Sequence, residues 1–179
     1  MCPVLNVTVL CGNPKLRSRT LAVAEEVVSQ LLESGTHRTT IVDLAEHVDQ
    51  IFEWPSDTMD ELQKTVADSD LLVVASPTYK ATYTGLLKAF LDRFGSAGLS
   101  GTLAIPVMTG GDLRHAIGPD AYLRPLLVEL GASVPTGSLY FVMSDIDARA
   151  ERIHEWIDRN AGAIRGRSDL RDALAQNKN

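Results

Sequence analysis

The sequence predicts one three-layer α/β/α domain: a five-stranded parallel sheet in the order 2-1-3-4-5, with helices on both sides. Three observations carry this. Apolar, β-rich blocks alternate with segments of helical period along most of the 179-residue chain. Leu71 to Ala75 (LLVVA) is apolar without a break, as in a strand covered on both faces. Right-handed crossovers leave few strand orders, and 2-1-3-4-5 suits five strands whose first loop has a phosphate-binding character.

The elements follow in order. Leu5 to Cys11 (LNVTVLC) is the first strand, stopped by Gly12. Arg19 to Glu33 has apolar residues at Leu21, Val23, Ala24, Val27, Val28, Leu31 and Leu32, a helical spacing ended by Ser34-Gly35. Thr39 to Leu44 reads as the second strand, and Ala45 to Pro55, without a clear period, as a surface loop. Asp57 to Ala67 is a short helix capped by Ser56 or Asp57. After the third strand come a helix from Thr84 to Phe94 and a strand from Thr102 to Met108. A helix from Asp120 to Leu130, a strand from Ser138 to Met143 and a helix from Ile146 to Ile164 complete the pattern. Residues 1–179 make a single domain on this reading, with a polar tail from Arg165 expected to fray.

Hydrophobic residues make up 45% of the chain, enough for a core. A formal charge of −6 argues against a nucleic-acid partner, which needs a basic face. Cys2 and Cys11 are too few for a disulfide framework or a tetrahedral zinc site, so no metal is expected. No apolar run reaches membrane-spanning length, and the expectation is a soluble cytoplasmic protein without membrane contact.

In a sheet of this order the ligand crevice lies beyond the carboxyl ends of the strands, at the switch between the first and third. The first loop there reads GNPKLRSRT, neither a dinucleotide fingerprint nor an NTP loop. Asn13, Lys15, Arg17, Ser18, Arg19 and Thr20 precede a helix N-terminus, an arrangement suited to a phosphate monoester. A merely solvated, capped loop is the plainer alternative. The second loop follows Ser76, where Pro77 ends the strand and Thr78, Tyr79 and Lys80 cross the crevice. Tyr79 and Tyr83 offer stackable walls, although Tyr83 suits helix-start packing or a subunit contact equally well. The third loop, Thr109-Gly110-Gly111, lets backbone N–H groups approach a flat ligand, or is a plain turn. His115 reads as a structural residue.

These residues resemble the NAD(P)H-dependent FMN reductases, of flavodoxin-like fold, and within them the branch serving two-component monooxygenases of the alkanesulfonate and EDTA type. The resemblance spans roughly Val7 to Leu130 and rests on SPTYKATYTGLLKAFLD, TGG, His115, Asp120 and the Arg124-Pro125 pair. It implies that Asn13, Lys15, Ser18 and Thr20 hold the FMN phosphate. Pro77, Thr78, Tyr79 and Lys80 would meet the isoalloxazine and ribityl chain, and Thr109, Gly110 and Gly111 the pyrimidine edge. Tyr83 would lie at a subunit interface near the flavin, in a homo-oligomer, dimer or tetramer. Family members often carry serine where this chain has Asn13. The implied reaction is hydride transfer from NADH or NADPH to FMN, with no catalytic side chain, because the cofactor carries the chemistry. Reduced FMN could then serve a flavin-dependent monooxygenase. The alternatives are a quinone, azo or chromate reductase with prosthetic FMN, and a flavodoxin-type electron carrier.

Overall fold

The computed structural model describes residues 4–176, with side chains to residue 164. The sheet runs β2-β1-β3-β4-β5, all parallel, from β1 (Leu5–Cys11), β2 (His37–Asp43), β3 (Leu71–Pro77), β4 (Leu103–Gly110) and β5 (Leu139–Val142). The helices are α1 (Arg19–Leu31), α2 (Asp57–Ala67), α3 (Gly85–Leu91), α4 (Arg124–Glu129) and α5 (Arg149–Gln176). This is the predicted architecture and strand order.

The alternation of strand side chains divides the core in two. Val7, Val9, Cys11, Val73, Ala75, Ile105 and Val107 pack against Val23, Ala24, Val27 and Val28 of α1 and Ile153, Trp156 and Ile157 of α5. Leu10, Leu72, Val74, Ala104 and Met108 pack against Met59 of α2, Phe90 and Leu91 of α3, and Leu127 of α4. Each fully buried aliphatic side chain contributes about 1.5–3 kcal/mol. All of β3 is buried, which explains its unbroken apolar run. Pro106 lies in β4 opposite Val74 of β3, one residue before β5 begins pairing at Val107, so its missing N–H removes no bond to β5.

Several boundaries differ from expectation. The Ala45–Pro55 segment is partly ordered: it shares a 3-10 turn (Leu44–His47) and buries Ile51. Its far end is fastened by buried Arg93, which lies 3.9 Å from the Trp54 ring centroid and donates to the Glu53 carbonyl at 2.9 Å. Ser56 occupies the N-cap position of α2 without a side-chain cap bond. The helix expected from Asp120 starts as a π-helical turn, Pro119–Leu123, before α4. The last helix starts at Arg149, after a 3-10 segment from Met143 to Ala148. Its backbone stays helical to Gln176; the expected fraying from Arg165 falls on residues whose side chains lie outside the description.

Candidate functional site

The three loops chosen from the sequence meet at the carboxyl edge of the sheet and are bonded to one another. Gly12, just past β1, donates its N–H to the Ala75 carbonyl of β3 at 2.8 Å. A Cβ on Gly12 would overlap Cβ of Leu87, so only glycine lets this loop lie against α3. Thr84 caps α3 by accepting from the Leu87 N–H at 3.1 Å, and donates its hydroxyl to the Gly12 carbonyl at 2.5 Å. The first and second loops are thus joined at the base.

A second link joins the first and third loops. The Thr20 hydroxyl lies 2.9 Å from the Thr109 hydroxyl and accepts from the Asn13 side-chain amide at 3.0 Å. Asn13 in turn accepts from the Lys15 N–H at 2.9 Å. Ser18 caps α1 through the Leu21 N–H at 3.2 Å. All three side chains are buried and engaged inside the framework. The third link is from the Thr78 N–H to the Thr109 carbonyl, 2.7 Å.

Charge gathers at the rim. Lys15, Arg17, Arg19 and Lys80 are exposed and form no ion pair with any described residue. Arg17 sits at φ 47°, and its N–H donates to buried Asp43 at 3.0 Å. On that side of the loop lies a cleft of about 410 Å³ lined by Arg17, Ser18, Leu21, Glu25, Asp43 and Glu46. Its three carboxylates make it a poor place for a phosphate, which leaves the other side of the loop, at the start of α1, as the better one.

The second loop is a tight hairpin. Tyr79 donates to the Thr82 carbonyl at 2.8 Å and Thr82 returns a bond at 3.3 Å, around Lys80 and Ala81 at φ 51° and 73°. Two left-handed residues in a two-residue loop give the backbone of a type I′ turn. Tyr79 is exposed and Tyr83 half-buried against the α3 side of the core. The Thr78 hydroxyl is buried without a hydrogen-bond partner among the described residues. An unmet hydroxyl of this kind costs about 1–3 kcal/mol, so this loop is a place where a polar ligand edge gains something. That observation, with the free cations at the rim, fits a flat ring system carrying one phosphate.

Below the loops, burial pushes the Cys11 thiol up to about 11, against the lowering hydrogen bonds from Asn13 and Ser18. Its sulfur lies 3.7 Å from the Ser18 hydroxyl. Four framework residues escaped the sequence reading. Thr84 is visible in retrospect as an N-cap before an apolar helix. Ser76, which accepts from the Thr84 N–H at 3.0 Å, Asp43 and Tyr140 carry no local signal.

The fold is that of flavodoxin-like α/β oxidoreductases, with three strand-end loops bonded together at its switch point. Residues 5–145 match the family of NADPH-dependent FMN reductases, and the chain belongs to that family. It is 34% identical over 143 residues to the NADH-dependent FMN reductase SfnE of Pseudomonas putida, covering 76% of this chain and 77% of that one. To the FMN reductase (NADPH) of Escherichia coli it is 29% identical over 130 residues, covering 72% and 68%. Among solved structures, the apo form of the NADH:FMN oxidoreductase EmoB superposes with a TM-score of 0.78 at 29% identity, covering 87% of each chain. The chain is therefore an NAD(P)H-dependent oxidoreductase of the FMN reductase type.

Proposed function

We propose that the cradle binds FMN as an exchangeable substrate, reduces it at the expense of NADH or NADPH, and releases it to a separate flavin-dependent monooxygenase. The observation that supports this best is the bonding of all three loops into one frame, Thr84 to Gly12, Thr20 to Thr109 and Thr78 to Thr109. When bound, FMN supplies the redox chemistry, accepting a hydride from the nicotinamide.

The chain's own residues bind and orient. Asn13, Ser18 and Thr20 shape the first loop, and the start of α1 gives the phosphate N–H groups and a positive helix end. Lys15 and Arg19 supply charge around it, and Arg17, at the edge of the carboxylate cleft, adds to the positive rim from the far side. Pro77, Thr78, Tyr79 and Lys80 take one side of the ring and ribityl chain, and Thr109, Gly110 and Gly111 the polar ring edge. Gly111 leaves open space where a side chain would stand. Tyr83, half-buried just before α3, is assigned to the contact with a neighbouring subunit. The exposed apolar side chains of Leu113, Ile117, Tyr122 and Val128 support a homo-oligomer, dimer or tetramer. No described helix is long and apolar enough to cross a membrane, and the cytoplasm, where reduced nicotinamide nucleotides are held, is the proposed location.

The test is steady-state oxidation of NADH and NADPH with FMN, FAD, riboflavin and a quinone in parallel. Turnover that requires added FMN supports the proposal. A purified yellow protein that reduces quinone without added flavin would replace it with a prosthetic-flavin reductase.

A further inference from the structure

We infer that Tyr140 is a positioning residue for flavin: from the sheet-edge strand β5 its hydroxyl tethers the loop that faces the ring. This rests on the placement of the ring edge at Thr109–Gly111 proposed above.

The chain leaves β4 through Thr109, Gly110, Gly111 and Asp112. Its start is fastened twice, by the Thr109 hydroxyl to Thr20 at 2.9 Å and by the Thr109 carbonyl to the Thr78 N–H at 2.7 Å. Its end is fastened by Tyr140, whose hydroxyl donates to the Asp112 carbonyl at 2.8 Å. The Asp112 side chain is engaged elsewhere, accepting from the Arg114 backbone N–H at 2.9 Å and the Arg114 guanidinium at 3.0 and 2.6 Å. The two glycines therefore span fixed points.

Tyr140 pairs in register with Met108, and its ring packs against the core layer of α2, α3 and α4. The aromatic body thus sets the height of the hydroxyl, and the hydroxyl sets the position of the loop. Gly110 shows how close the fit is. A Cβ there would overlap the Tyr140 hydroxyl oxygen, whereas the same atom on Gly111 would meet nothing within 4 Å. Gly110 is not among the glycines with positive φ, so it is glycine to make room for Tyr140 and not for conformational freedom. A loop pressed onto a tyrosine from one side and left clear on the other is a platform with a fixed height.

The experiment compares wild type with Tyr140→Phe, which keeps the packed ring and removes the tether. Dissociation constants for FMN and riboflavin are measured by flavin fluorescence quenching, and backbone order parameters of Gly111 and Asp112 by NMR relaxation without flavin. The expected result is roughly tenfold weaker binding of both flavins, by the same factor because the loop meets the ring and not the phosphate. The order parameters of Gly111 and Asp112 fall while those of β4 do not, and Tm stays within about 4 °C. Unchanged affinities, unchanged order at 111–112, a loss confined to FMN, or unfolding of the whole sheet each overturn the inference. If wild-type protein binds neither flavin, the proposed function fails and the positioning role falls with it; wild-type binding with an unaffected variant overturns the positioning role alone.

Discussion

Thr20 at the start of α1 and Thr109 at the end of β4 are 89 residues apart in sequence, yet their hydroxyl oxygens lie 2.9 Å from each other. With Asn13 they form a buried chain of polar groups that makes the first and third loops a single body. Replacing Thr20 by Val keeps the shape and strands two buried partners. The expected cost is about 1–3 kcal/mol in urea unfolding, with roughly tenfold weaker FMN binding. Lower stability with unaltered FMN affinity would mean the link serves the fold alone.

Ala81 holds φ 73° in the Tyr79–Thr82 hairpin without the freedom of glycine. A left-handed residue with a Cβ costs about 1–2 kcal/mol, against which glycine costs about 0.5–1 kcal/mol in the unfolded chain. Ala81→Gly should therefore raise the thermal midpoint slightly, and Ala81→Val should lower it clearly. Calorimetry of the two variants beside wild type decides the matter; a fall for glycine would refute the turn assignment.

Gly12→Ala drives a methyl group into Leu87, where the nearest backbone atom, Cα of Leu87, would stand at 3.2 Å. Overpacking of this kind costs about 1–3 kcal/mol. Because Gly12 also accepts from Thr84, the variant should lose flavin-dependent NAD(P)H oxidation along with stability. Adding Leu87→Ala should return part of both, which a thermal shift assay and a turnover assay can follow together.

Asp120 ties the π-helical turn to the approach of β5, accepting from Arg124 at 2.8 Å and the Ser138 hydroxyl at 2.7 Å. Burial opposes its ionisation, but the bonds from Ser138 and Arg124 and the Arg124 charge outweigh that and hold its carboxyl below the ordinary range. A lowered acid contributes stability that is present above about pH 4 and fades as pH falls below it. Asp120→Asn should thus destabilise at pH 7 and approach wild type near pH 3. Unfolding curves at the two pH values check this, and an equal deficit at both would exclude the charge as the cause.

Much of the architecture was legible because a parallel strand buried on both faces has to be apolar throughout, as LLVVA is, and because the crossover rule then left few orders. Boundaries were less legible where hydrogen-bond registers change. The N–H of Arg124 bonds five residues back to Pro119, and Pro125 has no N–H to continue that pattern, so the periodic run from Asp120 hid a π-helical turn. The meeting of three strand-end loops was legible, and the roles of their side chains were not. Asn13, Ser18 and Thr20 have the chemistry of phosphate ligands, but their hydrogen bonds within the chain depend on partners that no local spacing reveals. Tyr140 was invisible for the same reason, since Asp112 lies 28 positions away across the sheet.

Cys11 is fully buried beneath the first loop, and that burial pushes its thiol up to about 11. Peroxide formed when reduced flavin meets dioxygen attacks thiolates first, and attack needs access. With neither ionised sulfur nor an open path to it, Cys11 is expected to resist sulfenic acid formation beneath the loops even where reduced flavin generates peroxide.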